Sequence, residues 1–159
     1  STMLNRHTRT VITYGTFDLF HIGHLNLLNR LRALGDRLIV GVSTDEFNLI
    51  KGKKTVIPYS DRSKIVGALR CVDEVFPENS WDQKRGDIAR FGAAIFGMGH
   101  DWEGHFDDLR DVCDVVYLPR TDSVSSTELK RLLRVLDQRH IDDLKQALDL
   151  ISGIVQQFH

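Results

Sequence analysis

Residues 15 to 24 read GTFDLFHIGH, and two imidazoles three positions apart with Gly23 between them make this the stretch best equipped for chemistry. It leaves an apolar segment and leads into a helical pattern, where unpaired N–H groups and the positive end of a helix dipole attract anions. His24 beside that first turn adds a donor, and phosphate is the natural occupant. A lone histidine in such a turn is ordinarily a cap or a surface residue. A pair in HxGH, with a glycine that lets backbone approach a ligand, weighs toward a site. A bound transition metal is the weaker reading: His21 and His24 lack further ligands at any evident spacing, and His100, Asp101, His105 and Asp107 read more simply as a polar loop. Asp18 orders the loop or is purely structural.

Two other clusters carry charge of the same use. KGKK at 51–54, with Arg62 and Lys64 nearby, is far more basic than the chain as a whole, although a solvated loop is the ordinary fate of such a run. RTDSVSST at 120–127 sets Arg120 ahead of Ser125, Ser126 and Thr127 at a second helix start, a further place for an anion. Trp81 either stacks on a ligand or covers a loop. Gly97, Gly99 and Gly104 form no dinucleotide fingerprint and read as turn residues.

The elements that must position these groups follow from periodicity. TVITY (10–14) and RLIVGVS (37–43) are β-branched and almost continuously apolar, as parallel strands covered on both faces are. Between them Leu25, Leu28, Leu31 and Leu34 recur at helical spacing, with Gly35 at the expected C-cap. Residues 60–70 predict a second helix capped by Ser60 or Asp61, followed by the short apolar EVF. AAIFGMG (93–99) and DVVYLPR (114–120) supply two more strands. Ser125 and Glu128 then open a helix as a capping box. The alternation predicts an α/β fold: a Rossmann-like three-layer sandwich around a central parallel sheet, with a C-terminal helical extension. Ligands of such sheets sit beyond the carboxyl ends of the strands, so all three clusters should share one end. The expected organisation is an N-terminal tail over 1–9, a catalytic domain over 10–132 and the helical extension over 133–159. Ser1 and Thr2 ahead of Met3 read as residues left by cloning. In the tail, Ile141, Leu144, Leu148, Ile151, Val155 and Phe158 are spaced 3, 4, 3, 4, 3, which suits packing on another helix or on the chain's own domain.

The totals narrow the class. With 159 residues, 42% apolar and 27% charged, the chain can bury a proper core, and a formal charge of −1 creates no global field toward nucleic acid or an anionic membrane. Cys71 and Cys113 stand alone, which fits a reducing cytoplasm and no disulfide framework. No apolar run reaches membrane-spanning length, so membrane insertion is not expected.

GTFDLFHIGH, STDEFN at 43–48, KGKK, WDQK at 81–84, MGHDWEG at 98–104 and RTDSVSST, in this order, closely resemble the glycerol-3-phosphate cytidylyltransferase family, within the HxGH nucleotidyltransferase superfamily. HxGH alone specifies the superfamily; STDEFN followed by KGKK, WDQK and the DWEG block is much more particular to the glycerol-phosphate branch. The resemblance implies transfer of CMP from CTP to sn-glycerol 3-phosphate, giving CDP-glycerol and pyrophosphate, with Mg²⁺ carried mainly by the CTP phosphates and no metal site in the protein. It implies that Thr16, Phe17, His21, Ile22, Gly23, His24, Lys53, Arg120, Thr121, Asp122, Ser123, Val124, Ser125, Ser126 and Thr127 contact CTP. Asp101 is added as a candidate for the base. His21, His24, Lys53 and Arg120 are the expected catalytic groups, and Lys51 and Lys84, with Arg62 added, are expected to hold the acceptor. A homodimer is usual in this family, and CDP-glycerol there feeds teichoic acid or capsule synthesis.

The chemistry needs no triad, because a phosphate monoester with a second pKa of about 6 is already largely dianionic at neutral pH. It needs in-line positioning and neutralisation of charge. Three features depart from the family pattern: His100 before the DW pair, Ile22 where tryptophan is common, and about 25 residues beyond the usual end. The alternatives are an enzyme of the same fold acting on another phosphorylated alcohol or sugar phosphate, or a nucleotide-binding module without turnover.

Overall fold

The computed structural model describes residues 9–120 and 126–158, without the side chains at 126, 127, 129 and 135–137. Strands β1 (Thr10–Gly15), β2 (Arg37–Ser43), β3 (Glu74–Glu78), β4 (Ala93–Gly99) and β5 (Asp114–Leu118) form one sheet. Their order is β3-β2-β1-β4-β5 and every pairing is parallel. Helices α1 (Ile22–Arg32), α2 (Asp45–Ile50), α3 (Tyr59–Gly67) and α4 (Lys84–Phe91) run between the strands.

Successive strand residues point to opposite faces, and each face has its own core. Val11, Leu38, Val40 and Val42 pack with Leu28 and Leu31 of α1 and Val66 of α3. Ile12, Tyr14, Ile39, Phe76, Phe96 and Met98 pack with Ile88 of α4 and with Leu109. Each such fully buried side chain contributes about 1.5–3 kcal/mol relative to exposure. The result is the expected Rossmann-like three-layer sandwich. Because the chain steps from β1 out to β3 and then returns to place β4 on the other side of β1, the order reverses between β1 and β4. Their carboxyl ends therefore frame the crevice in which such sheets bind ligands.

Several local expectations change. α3 begins at Tyr59 with Pro58 at its N-cap and no side-chain cap of its own, so neither Ser60 nor Asp61 is the cap. The carboxylate of Asp45, from α2, takes the Tyr59 N–H instead, at 3.0 Å. α1 ends at Arg32 with Ala33 as its C-cap, and Gly35 has no left-handed φ; a Cβ there would lie 2.3 Å from the Arg9 carbonyl oxygen. Gly97 lies inside β4, where a Cβ would meet Leu31 Cδ2 at 2.3 Å, so it admits α1 to the sheet and makes no turn. Gly104, at φ +82, is in a turn as expected. α2 and α4 are additional to the expected elements.

The chain divides into two compact units, the second starting at Val124. It contains α5 (Ser126–Gln156), one uninterrupted helix of 31 residues. Ser125, half of the expected capping box, lies outside the described residues. Among the described residues no helix is long and apolar enough to cross a membrane.

Candidate active site

The loop after β1 carries two non-glycine residues with positive φ, Phe17 at 53° and Leu19 at 48°, a conformation that costs on the order of 1–2 kcal/mol per residue unless its surroundings impose it. Asp18 imposes it. Its buried carboxylate accepts from the backbone N–H of Val56 at 2.8 Å, of Ile57 at 2.9 Å and of Leu19 at 3.1 Å. The loop is thereby stapled to the segment before α3.

The loop delivers His21 to the N-cap of α1. His21 Nδ1 accepts the Gly23 N–H at 3.0 Å, and His24 Nδ1 accepts the His21 N–H at 3.2 Å, so the two imidazoles cap the helix reciprocally. The rings stack with centroids 4.0 Å apart, and Phe17 and Phe20 pack on His24 at 5.5 and 5.2 Å. Burial lowers the pKa of His21 below the ordinary histidine value. Burial, with the neighbouring His21, pushes His24 down to about 4 against an opposing pull from Asp18. Both rings are therefore neutral at pH 7. With each Nδ1 used as an acceptor, the remaining ring proton sits on Nε2. The sequence pattern HxGH thus becomes a pair of neutral N–H donors at a helix start.

Behind this loop Arg62 is a clasp. It is only 1% exposed, and its Nη1 donates to the carbonyls of Thr16 at 2.8 Å and Ser43 at 2.7 Å. Nε donates to the Ile57 carbonyl at 2.8 Å and Nη2 to Asp45 at 2.8 Å. Four of its five N–H groups are used within the protein, so Arg62 departs from the expected contact with an acceptor. It ties the carboxyl ends of β1 and β2 together, where Ser43 also donates to the Thr16 hydroxyl at 3.0 Å.

Lys51 and Lys84, 33 positions apart in sequence, meet at Trp81. Lys51 Nζ lies 5.7 Å and Lys84 Nζ 5.5 Å from the indole. Lys51 caps the C-terminus of α2 and also sits 4.5 Å over Phe47, which packs edge-on against Trp81 at 5.2 Å. Burial lowers its pKa, while Glu78 raises it. Lys84 is buried, paired with Glu78 Oε2 at 2.9 Å and 4.7 Å over the ring of Tyr14. Tyr14 in turn donates to Asp87 at 2.7 Å, and burial together with that carboxylate raises its pKa. Trp81 is half exposed, so it both covers Phe47 and keeps a face to solvent. Glu78 and Tyr14 had no motif to mark them, and Phe47 stood inside STDEFN without a role assigned to it. Glu78 ends β3 at the carboxyl edge of the sheet, a position that signals a site in this topology.

Lys53 and Lys54, exposed just beyond Gly52 at φ +72, line a shallow groove with Asp45, Thr55 and Pro58. Arg120, after β5, makes an ion pair with Asp101 in the 3₁₀ turn after β4, so these two expected site residues are brought together. His100 pairs with Glu103 at 3.2 Å, and Ile22 is exposed at the first turn of α1. Thr121, Asp122, Ser123, Val124 and Ser125 lie outside the described residues, as do the side chains of Ser126 and Thr127. Among the described residues no three His, Cys, Asp or Glu side chains group as a metal site.

Crossover at β1/β4, a helix start capped by neutral imidazoles and lysines ranged at the neighbouring strand ends make an α/β crevice whose donors and cations suit phosphate groups. The profile described as cytidylyltransferase-like matches residues 12–132. A glycerol-3-phosphate cytidylyltransferase of Staphylococcus aureus is 52% identical over 125 residues, covering 79% of this chain and 95% of the relative. One of Bacillus subtilis is 55% identical over 122 residues, covering 77% and 95%. The crystal structure of the lipopolysaccharide core biosynthesis protein from Thermoplasma volcanium GSS1 superposes with a TM-score of 0.67 at 23% identity, over 73% of this chain and all of that one, and shares the fold. The chain belongs to the cytidylyltransferase-like family, among its glycerol-3-phosphate cytidylyltransferases, and is a nucleotidyltransferase.

Proposed function

We propose that the chain transfers CMP from CTP to sn-glycerol 3-phosphate, forming CDP-glycerol and releasing pyrophosphate in one in-line displacement. The identity of more than half the residues with two such enzymes over nearly their whole length carries the substrate pair. The neutral imidazole pair supports the reaction type.

An oxygen of the acceptor phosphate attacks the α-phosphorus, and the bond to the bridging oxygen of the β-phosphate breaks. The nucleophile is a dianion at neutral pH, so no side chain has to remove a proton. In this reading His21 and His24 donate through Nε2 to the α-phosphate region, where charge builds in the transition state. Thr16, Phe17, Ile22 and Gly23 shape the same loop around CTP. Lys53, Arg120 and the segment Thr121–Thr127 neutralise the triphosphate and the leaving pyrophosphate. Lys51 and Lys84 draw in the acceptor, with Glu78 orienting Lys84 and Trp81 walling the subsite. Arg62 is reassigned from acceptor contact to positioning. Asp101, already paired with Arg120, fixes that guanidinium at the nucleotide side of the crevice.

Mg²⁺ fits as a companion of the nucleotide. The donors of the loop are nitrogens and hydroxyls, which suit phosphate oxygens, and the loop's one carboxylate, Asp18, has both oxygens on backbone N–H groups. The ion would supply charge neutralisation on the triphosphate while keeping several waters. The catalytic unit runs over 10–132, the protein works in the cytoplasm, and two copies form the assembly.

Mg²⁺-dependent pyrophosphate release, with CTP and ATP each offered to glycerol 3-phosphate and a panel of other phosphorylated alcohols, tests this reading. Release confined to CTP with glycerol 3-phosphate is expected. A different productive pair moves the acceptor or base assignment, and silence across the panel removes turnover altogether.

A further inference from the structure

α5 extends well beyond the segment that matches the family, which ends at residue 132. At 31 residues it is about 46 Å long. Ile141, Leu144, Leu148, Ile151, Val155 and Phe158 form its seam, and each is at least 45% exposed. Alternating steps of three and four residues keep a seam facing a neighbouring helix that coils around it.

We infer that this seam pairs with the same seam of a second copy of the chain. The partner must be a helix of matching length, and among the described residues the other helices have 11, 6, 9 and 8 residues. Only another α5 covers the whole stripe. Six large apolar side chains on each of two copies give such a pair a continuous apolar interface. Charge agrees with this occupant. Positions flanking the seam (His140, Lys145, Ala147, Ser152, Ile154) carry one formal charge, so no row of like charges opposes pairing. The opposite face holds Asp142, Asp143 and Asp149, which would repel an anionic membrane; amphipathic helices that lie on membranes are basic there.

Leu148 lies near the middle of the seam, so it approaches its counterpart whether the two helices run parallel or antiparallel. The full-length Leu148→Cys variant is treated with a short bis-maleimide and run on a denaturing gel, with the parent chain as control for Cys71 and Cys113. Efficient covalent dimer is expected. Gln146→Cys, on the opposite face, should yield at least tenfold less, and Leu144→Glu with Ile151→Glu in the Leu148→Cys background should abolish the product. Neither position is among the residues assigned to the reaction, so pyrophosphate release by that variant reports a folded enzyme independently. Equal cross-linking at 146 and 148, or cross-linking that survives both glutamates, overturns the pairing. So does a chain that stays uncross-linked but sediments with phosphatidylglycerol vesicles, which would make the seam a membrane contact.

Discussion

At the scale of single residues, the sequence shows which groups can act but not which way they face. HxGH marks two imidazoles; that both Nδ1 atoms are consumed by backbone N–H groups, leaving Nε2–H as the donor, appears only in three dimensions. The lysines of KGKK and WDQK are visible as charges, whereas their meeting at Trp81 depends on a contact that no local pattern encodes. The imidazole geometry gives a separable prediction for His24. Asparagine places its carbonyl oxygen near the Nδ1 position and keeps the cap but has no group at Nε2; glutamine reaches the Nε2 position with an N–H but loses the cap. His24→Ala should lower kcat by at least about 100-fold, the usual scale for a lost transition-state donor. His24→Asn should fall as far with a nearly parental melting temperature, while His24→Gln retains more turnover and melts lower. Steady-state kinetics beside thermal melts decides this; near-parental turnover in His24→Asn would falsify the donor role.

At the scale of elements, the strands were legible because parallel strands buried on both faces must be continuous in apolar residues, as VITY, RLIVGVS and AAIFGMG are. The short helices were not. α2 (DEFNLI) is too brief for a helical period to register, and α4 (KRGDIARF) is mostly polar and carries Gly86, so both are held in place by tertiary contacts instead of propensity. α3 illustrates the same point at its cap, which comes from Asp45 across the loop. Arg62 joins these elements, and its removal is predicted to be felt by all of them. Arg62→Met keeps much of the volume but leaves the carbonyls of Thr16, Ser43 and Ile57 without their donor. Losing such a buried, paired cation costs roughly 3–5 kcal/mol, with the lower end favoured because Asp45 is partly exposed and can be solvated. Urea denaturation measures the loss, and a change below about 1 kcal/mol would remove the clasp from the account. Any folded fraction should show a raised KM for CTP, since the carboxyl ends of β1 and β2 lose their common tether.

At the scale of the molecule, the half-buried imidazoles couple the site to the stability of the whole sheet unit. His24 has a pKa of about 4 in the folded state against 6.5 when unfolded. Above pH 6.5 both states hold it neutral and it contributes no pH dependence. Between 6.5 and 4 the unfolded chain binds more protons than the folded one, so stability falls as the pH falls. His21 is shifted in the same direction and adds to the loss. Asp45 acts in a different window: its carboxylate pKa is lowered by the Tyr59 N–H and Arg62, so its contribution is lost only as pH drops below about 4, the ordinary aspartate range. Both tryptophans, Trp81 and Trp102, precede Val124, so tryptophan fluorescence reports the sheet unit without signal from α5. Fluorescence-detected melting temperature should therefore decline from pH 7 to pH 4.5, and His24→Asn, which keeps the cap without a titrating ring, should decline less over that interval. If the two proteins lose melting temperature in parallel, His24 is not the source, and its depressed pKa at the helix start has no thermodynamic counterpart.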